Sequence, residues 1–256
     1  MTPDLAQQLW DARRFGRVVR AEEIDPPKTA AEAYAVQHAT VALSGFPSRG
    51  FKVGSTSVEA QRILGTDEPG AGLLLAPYVF ESPARIVVVP EHCPAVEGEF
   101  ALRLGSDLPP RDTPYTIDEV AAAVDAVAGA IEVVGSRFAG GLGGKGRLLT
   151  TADGSANIAF VAGCWHAGFP LAALPGHKVT MTIGGAVRGF GTGSRALGGP
   201  LHVLVWLANR QSAEGRGLKV GEIVSTGTCT GLDSVAPGDR VCADFGVLGT
   251  VEILFE

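Results

Sequence analysis

A chain of 256 residues that is 46% apolar carries ample material for a core, and its formal net charge of −6 with no basic run argues against nucleic acid as a partner. No apolar stretch approaches the roughly 20 residues of a membrane span and no apolar leader follows Met1, so a cytoplasmic protein with no membrane partner is expected. The four cysteines, Cys93, Cys164, Cys229 and Cys242, form no Cys-x-x-Cys pair and suit reduced core positions better than a disulfide frame or a zinc site.

The chain opens with helical periodicity over residues 3–17, where Leu5, Leu9 and Trp10 share a face. Thr29-Ala-Ala-Glu32 has the spacing of a capping box and starts a second helix that runs to about Leu43 and stops at Gly45. Gly50-Phe-Lys52-Val-Gly54 is a short strand in which Lys52 faces away from Phe51 and Val53, and Ser57 caps a short helix, Val58 to Leu64. A lysine so placed is either a solvated edge residue or one that points into a site. Strands follow over 73–80 and 85–90.

Residues 95–104, Ala-Val-Glu-Gly-Glu-Phe-Ala-Leu-Arg-Leu, read as a strand with two carboxylates two residues apart. Strand alternation puts Glu97 and Glu99 on one face, about 7 Å apart, with Val96, Phe100 and Leu102 on the other. Such a pair is either a wet, charged outer face or a site for a hard divalent cation held by oxygen ligands. Thr116-Ile-Asp-Glu119 is another capping-box match and predicts a helix to about Val127. Ala130-Ile-Glu132-Val-Val134 then reads as a short interior strand whose lone carboxylate needs a partner. Arg137 could neutralise Glu132, or Glu132 could be a third ligand of the cation.

The glycine-rich segment 139–146 fails the phosphate-loop pattern because Gly146 follows Lys145, and reads as a loop, a lid candidate. Strands are expected at 158–162, 178–183 and 222–225, a helix from Pro200 to about Asn209, and a closing hairpin of 240–245 with 249–255. Helices at the front and in two insertions, with the remainder mostly antiparallel β, make the class α+β.

These pieces resemble the 2-keto-4-pentenoate hydratase/2-oxo-hexenedioate decarboxylase family within the fumarylacetoacetate hydrolase superfamily. The resemblance rests on Gly50-Phe-Lys52-Val-Gly, Leu64-Gly-Thr-Asp-Glu-Pro69, Val96-Glu97-Gly-Glu99-Phe-Ala-Leu and Ile131-Glu132-Val-Val-Gly-Ser136-Arg137. It continues through Ala152-Asp153, Val205-Trp-Leu-Ala-Asn209, Gly221-Glu-Ile-Val-Ser-Thr-Gly227 and Ala243-Asp-Phe-Gly-Val-Leu-Gly249. It implies a mixed β-roll of the fumarylacetoacetate hydrolase C-terminal-domain type over residues 71–256 behind an N-terminal helical segment, 1–70. It implies that Glu97, Glu99 and Glu132 bind Mg²⁺ or Mn²⁺, that Lys52 carries a proton or supports the substrate oxygens, and that Asp153 handles a proton or orients Lys52. Ser136, Arg137, Thr226 and Gly227 are its substrate-binding candidates, and the assembly is expected to be a homo-oligomer.

The activity so implied is a metal-dependent hydratase of aromatic catabolism, adding water to a short 2-hydroxy-2,4-dienoate. Protonation at the far carbon gives a conjugated 2-oxo-3-enoate, and water adds at C4. The alternatives are a decarboxylase of a 2-oxo-enedioate or a related lyase or hydrolase, with Lys145 or Arg147 meeting a second carboxylate, and a non-catalytic metal-dependent 2-oxo-acid binder. The last is suggested by departures from the family pattern. Gly70 stands where relatives commonly carry Asp after the Asp-Glu-Pro turn, and Leu149 and Gly154 stand where they carry Asp-Thr-Val-Ala-Asp-Asn.

Overall fold

The computed structural model describes residues 4–256, apart from the side chain of Ile63. Two helices lead. α1 (Leu5–Phe15) ends at Gly16 in the left-handed conformation, and α2 (Ala30–Ser44) starts where the Thr29 side chain accepts from the Glu32 N–H. β1 (Ser48–Gly54) and the short α3 (Val58–Leu64), capped by Ser57, follow as expected. The strand expected over 73–80 is interrupted: β2 (Gly70–Leu75) and β3 (Val79–Glu81) flank a 3₁₀ turn at Ala76–Tyr78, where Pro77 has no N–H for a ladder. β4 (Ala84–Ile86) is short, and β5 (Ala95–Leu104) has the expected bounds.

The next segment departs from expectation. α4 (Ile117–Ala122) carries the full capping box but stops five residues early, and β6 (Val124–Val134) begins inside the stretch read as helix. The alanines favour helix, but antiparallel pairing with β5 from Leu104 back to Ala95 buries β6 throughout from Ala126 and outweighs that propensity. α5 (Gly146–Ala152) is a helix that the glycine-rich segment concealed. Leu148, Leu149 and Ala152 join Leu5, Leu9 and Ala33 of the first two helices in a second small core.

The remaining elements are β7 (Asn157–Ala162), β8 (His166–Ala167), the hairpin β9 (Lys178–Ile183) and β10 (Ala186–Thr192), and α6 (Pro200–Ala213). β11 (Ile223–Thr228), β12 (Asp233–Ser234), β13 (Arg240–Asp244) and β14 (Thr250–Phe255) close the chain. The nine-stranded sheet runs β2-β1-β11-β5-β6-β7-β3, with β12 on β5 and β8 on β6; the other has the order β10-β9-β13-β14-β4. Most pairs are antiparallel, but β1–β11, β3–β7 and β4–β14 are parallel, which makes both sheets mixed.

β1 therefore lies inside the larger sheet, between β2 and β11, although it belongs to the N-terminal third of the chain. The main core joins the two sheets. Phe100 of β5 and Phe245, just past β13, are fully buried and meet edge to face with centroids 5.6 Å apart. The cysteine expectation holds for Cys229, which is buried, but Cys93 and Cys164 are exposed. Among the described residues no helix is long and apolar enough to cross a membrane.

Candidate active site

The register of β5 against β6 sets Glu97 directly opposite Glu132, and Glu99 follows on the same face of β5. Like charges in that position repel, yet the three carboxylates each offer an oxygen within 4.8 Å of the others. Glu99 and Glu132 are fully buried, while Glu97 is half-buried and faces the cavity described below.

Lys52, on β1, reaches the cluster from the side. Its Nζ lies 3.2 Å from Glu132 Oε2 and donates to the Ser155 carbonyl at 3.0 Å. Burial alone would lower the ammonium, but Glu132, Glu97 and Glu99 together outweigh it, so Lys52 is pushed upward and stays charged. Burial pushes Glu97 up to about 7, against the pull of Lys52; burial and then the charges of Glu132 and Glu97 push Glu99 well above the carboxylate range.

Hydrogen bonds fix the ligands from behind. Asn157 Nδ2 donates to Glu132 Oε1 at 3.0 Å. Glu99 Oε2 accepts from the Ser225 hydroxyl and, at 2.8 Å, from the Gly227 N–H. Gly227 has φ +91°, and a Cβ there would meet Thr56 Oγ1 at 2.0 Å, so only glycine presents that N–H. Glu99 Oε1 and Glu132 Oε2 are buried and accept no hydrogen bond. When all three carboxylates are ionised, as a bound cation would require, they exceed the one ammonium by two negative charges in a buried site. That excess, two buried oxygens that accept no hydrogen bond and the all-oxygen donor set fit one hard divalent cation.

The cluster opens into a cavity of about 650 Å³. Lys52 and Glu97 line its base, with Leu64, Leu142 and Thr151 among its walls. Two ion pairs bound it, Arg195–Glu59 at 4.0 Å and Arg147–Glu68. Arg147 lies on the cavity wall; Lys145, its sequence neighbour, is not among the lining residues.

Of the nine residues singled out in the sequence, Lys52, Glu97, Glu99 and Glu132 come together. Thr226 and Gly227 sit behind Glu99, the former donating to the Phe100 carbonyl at 2.8 Å. Ser136, Arg137 and Asp153 form a separate buried network. Arg137 Nε lies 2.5 Å from Asp153 Oδ1, its backbone N–H donates to Oδ2 at 2.7 Å, and Ser136 Oγ is 3.3 Å from that same oxygen. Arg137 thus pairs with Asp153, and Glu132 with Lys52.

The Asp153 carboxylate makes no contact with Lys52; it holds the turn that presents the Ser155 carbonyl, where Ser155 and Ala156 take φ of 52° and 70°. Asn157, Ser155 and Ser225 were missed in the sequence. Ser225 carried a signal, a run of small polar residues inside an otherwise apolar strand. Asn157 carried none, because only the β6–β7 pairing brings it to Glu132.

The model of the family described as fumarylacetoacetate (FAA) hydrolase C-terminal matches residues 51–254, and the chain belongs to that family. It is 32% identical over 268 residues to a 2-keto-4-pentenoate hydratase of Paraburkholderia xenovorans (strain LB400), covering 100% of this chain and 97% of the relative. It is 30% identical over 256 residues to a 2-hydroxyhexa-2,4-dienoate hydratase of Comamonas testosteroni, covering 97% and 95%. Among solved structures, 4-oxalocrotonate decarboxylase from Pseudomonas putida G7, complexed with magnesium and adipate, superposes with a TM-score of 0.89 at 26% identity, covering 98% of this chain and 96% of that one.

Proposed function

We propose that this chain, a hydro-lyase, is a divalent-metal-dependent hydratase that converts a short 2-hydroxy-2,4-dienoate into a 4-hydroxy-2-oxo acid, in aromatic catabolism. The observation that carries the reading is the buried cluster of Glu97, Glu99 and Glu132 with Lys52 against it and a cavity above. The curated relatives named above as hydratases, matched over nearly the whole chain, support the reaction type. Glu97, Glu99 and Glu132 would hold Mg²⁺ or Mn²⁺, ions present in structures of related fold. Once bound, the ion supplies a positive charge against which a 2-oxo acid can place its C1 carboxylate and C2 oxygen.

Lys52 then has two tasks. It neutralises Glu132, and its charged Nζ stabilises negative charge developing on the substrate's C2 oxygen while serving as a proton donor. Ser225 and Gly227 fix Glu99, and Thr226 ties their strand to the Phe100 carbonyl; Ser136, Arg137 and Asp153 hold the turn whose Ser155 carbonyl aims Lys52. The proposal carries with it a cytoplasmic setting and homo-oligomeric assembly.

A decarboxylase reading draws on the superposition with 4-oxalocrotonate decarboxylase and on Arg147 in the cavity wall, which could meet a second carboxylate. Product analysis by NMR separates the two. Metal-stripped protein resupplied with Mg²⁺ or Mn²⁺ is given 2-hydroxypenta-2,4-dienoate and 2-oxohex-3-enedioate in turn. Formation of 4-hydroxy-2-oxopentanoate, abolished by Glu99→Ala, supports the hydratase. Release of CO₂ from the diacid instead moves the chain to the decarboxylase reading, and turnover of neither, with metal bound, leaves a 2-oxo-acid binder.

A further inference from the structure

Hydration needs a second device besides the charged cluster: a place that holds the attacking water against C4 of the substrate. A hydroxyl niche stands beside Lys52. Gly70 opens β2 and is the register partner of Gly54, two residues along β1 from Lys52. Lys52 Nζ would lie 3.0 Å from a Cβ at Gly54, so the ammonium is directed toward the Gly54–Gly70 pair. A Cβ built at Gly70 would have as its three nearest neighbours Ser155 Oγ at 3.8 Å, Thr151 Oγ1 at 3.9 Å and Tyr34 Oη at 3.9 Å. Gly70, Thr151 and Ser155 line the same cavity as Lys52 and Glu97.

Two of the hydroxyls are held in place and keep hydrogen-bonding capacity. Ser155 Oγ donates to the Ala71 carbonyl at 2.7 Å and so keeps its lone pairs; Tyr34 Oη accepts from the Ala71 N–H at 3.0 Å and so keeps its proton. Three polar partners around one glycine-sized gap are what an ordered water requires. The site also suits a neutral nucleophile: oriented hydroxyls fix its lone pair without putting a further negative charge beside the carboxylate cluster.

Resting on the hydratase reading, we propose that Thr151, Ser155 and Tyr34 around Gly70 form the binding site for the water that adds to C4. The water oxygen bonds to C4, the C3=C4 pair shifts toward the C2 carbonyl to give an enolate, and C3 then takes up a proton while the water's surplus proton is released. The net change is addition of H and OH across C3=C4, and nothing else is consumed. In this arrangement the niche serves only the second stage; protonation of the dienol at C5 does not use it.

The test separates the two stages. Ketonisation is followed by loss of dienol absorbance and by deuterium incorporation at C5 in D₂O, and hydration by formation of 4-hydroxy-2-oxopentanoate. Gly70→Ala places a methyl in the niche at ordinary contact distance from its walls, so the fold is kept. It should slow hydration by on the order of 10²-fold while ketonisation keeps its wild-type rate. Thr151→Val should act in the same direction, and Thr151→Ser should restore hydration. Hydration at the wild-type rate in Gly70→Ala, or equal loss of both stages in Gly70→Ala and Thr151→Val, would overturn the niche while leaving the hydratase standing. A wild-type enzyme that ketonises but never hydrates would overturn both.

Discussion

Lys52 Nζ stands 3.2 Å from Glu132 Oε2, and neither side chain is more than 3% exposed. The contact is an ion pair rather than an aligned hydrogen bond, and the aligned donor to Glu132 is Asn157. Removing one partner of such a pair strands the other. Lys52→Met should therefore reduce turnover by at least about 10²-fold. It should also cost about 3–5 kcal/mol of stability in metal-free protein. Thermal melts with and without Mg²⁺ check the second part: the ion should recover more stability in the variant than in the wild type.

The carboxylates give a pH dependence with a definite sign. Glu97 titrates at about 7 in the folded chain against an ordinary 4.5, and Glu99 is displaced in the same direction, burial being the first cause for both. Between those values the folded, metal-free chain holds a proton that the unfolded chain has lost. Its contribution to stability is full below about 4.5 and is lost as the pH rises through 7. Metal must displace that proton, so affinity for Mg²⁺ should rise from pH 5 to pH 7.5, with proton release. Calorimetry in two buffers of different ionisation enthalpy measures it; a pH-independent affinity would contradict the assignment.

Asn157 touches the cluster only through Glu132, 3.0 Å away. Asn157→Ala should weaken metal binding by about 10–100-fold, the usual effect of losing a hydrogen bond to a ligand. Saturating Mn²⁺ should restore most of the turnover. Turnover that stays lost at saturation would mean that Asn157 acts on the substrate directly.

Asp153 is the counter-charge of a buried arginine pair. Arg137 bonds it directly, and Arg13, which donates to the Asn157 and Ile158 carbonyls, is lowered to about 10, first by burial and then by Arg137. Asp153→Asn leaves these cations with one anion fewer and should destabilise the fold by about 3–5 kcal/mol. Turnover measured well below the melting point should fall far less than in Lys52→Met. A fully folded but inactive Asp153→Asn would instead make Asp153 a participant in proton transfer.

Much of this was legible in the sequence, for identifiable reasons. Glu97 and Glu99 could be placed together because strand alternation is local, and Glu132 because a lone charge in an apolar run demands a partner. The partner itself was not legible. Arg137 is five residues away in sequence, yet Lys52 is the one that arrives, through the parallel pairing of β1 with β11. The same limit explains α4 and α5. Alanine favours helix, and pairing with β5 overrode it; the glycine-rich segment gave no helical signal, and packing on the helical layer decided its conformation. Asp153 was placed near Lys52 by resemblance, and the fold turned its side chain toward Arg137 instead.

The opposition of Glu97 and Glu132 across β5 and β6 has a consequence for the life of the chain in a cell. A one-residue slip of that register would move Glu132 to the other face and relieve the repulsion. With no cation bound, the native pairing is therefore strained at the centre of its larger sheet. If the proposed cation is bound in the cell, abundance should follow ion supply: with divalent metal scarce, a larger fraction should open and be degraded, which pulse-chase in metal-depleted and replete cells would measure. Scarcity would then lower the amount of enzyme as well as the activity of each molecule.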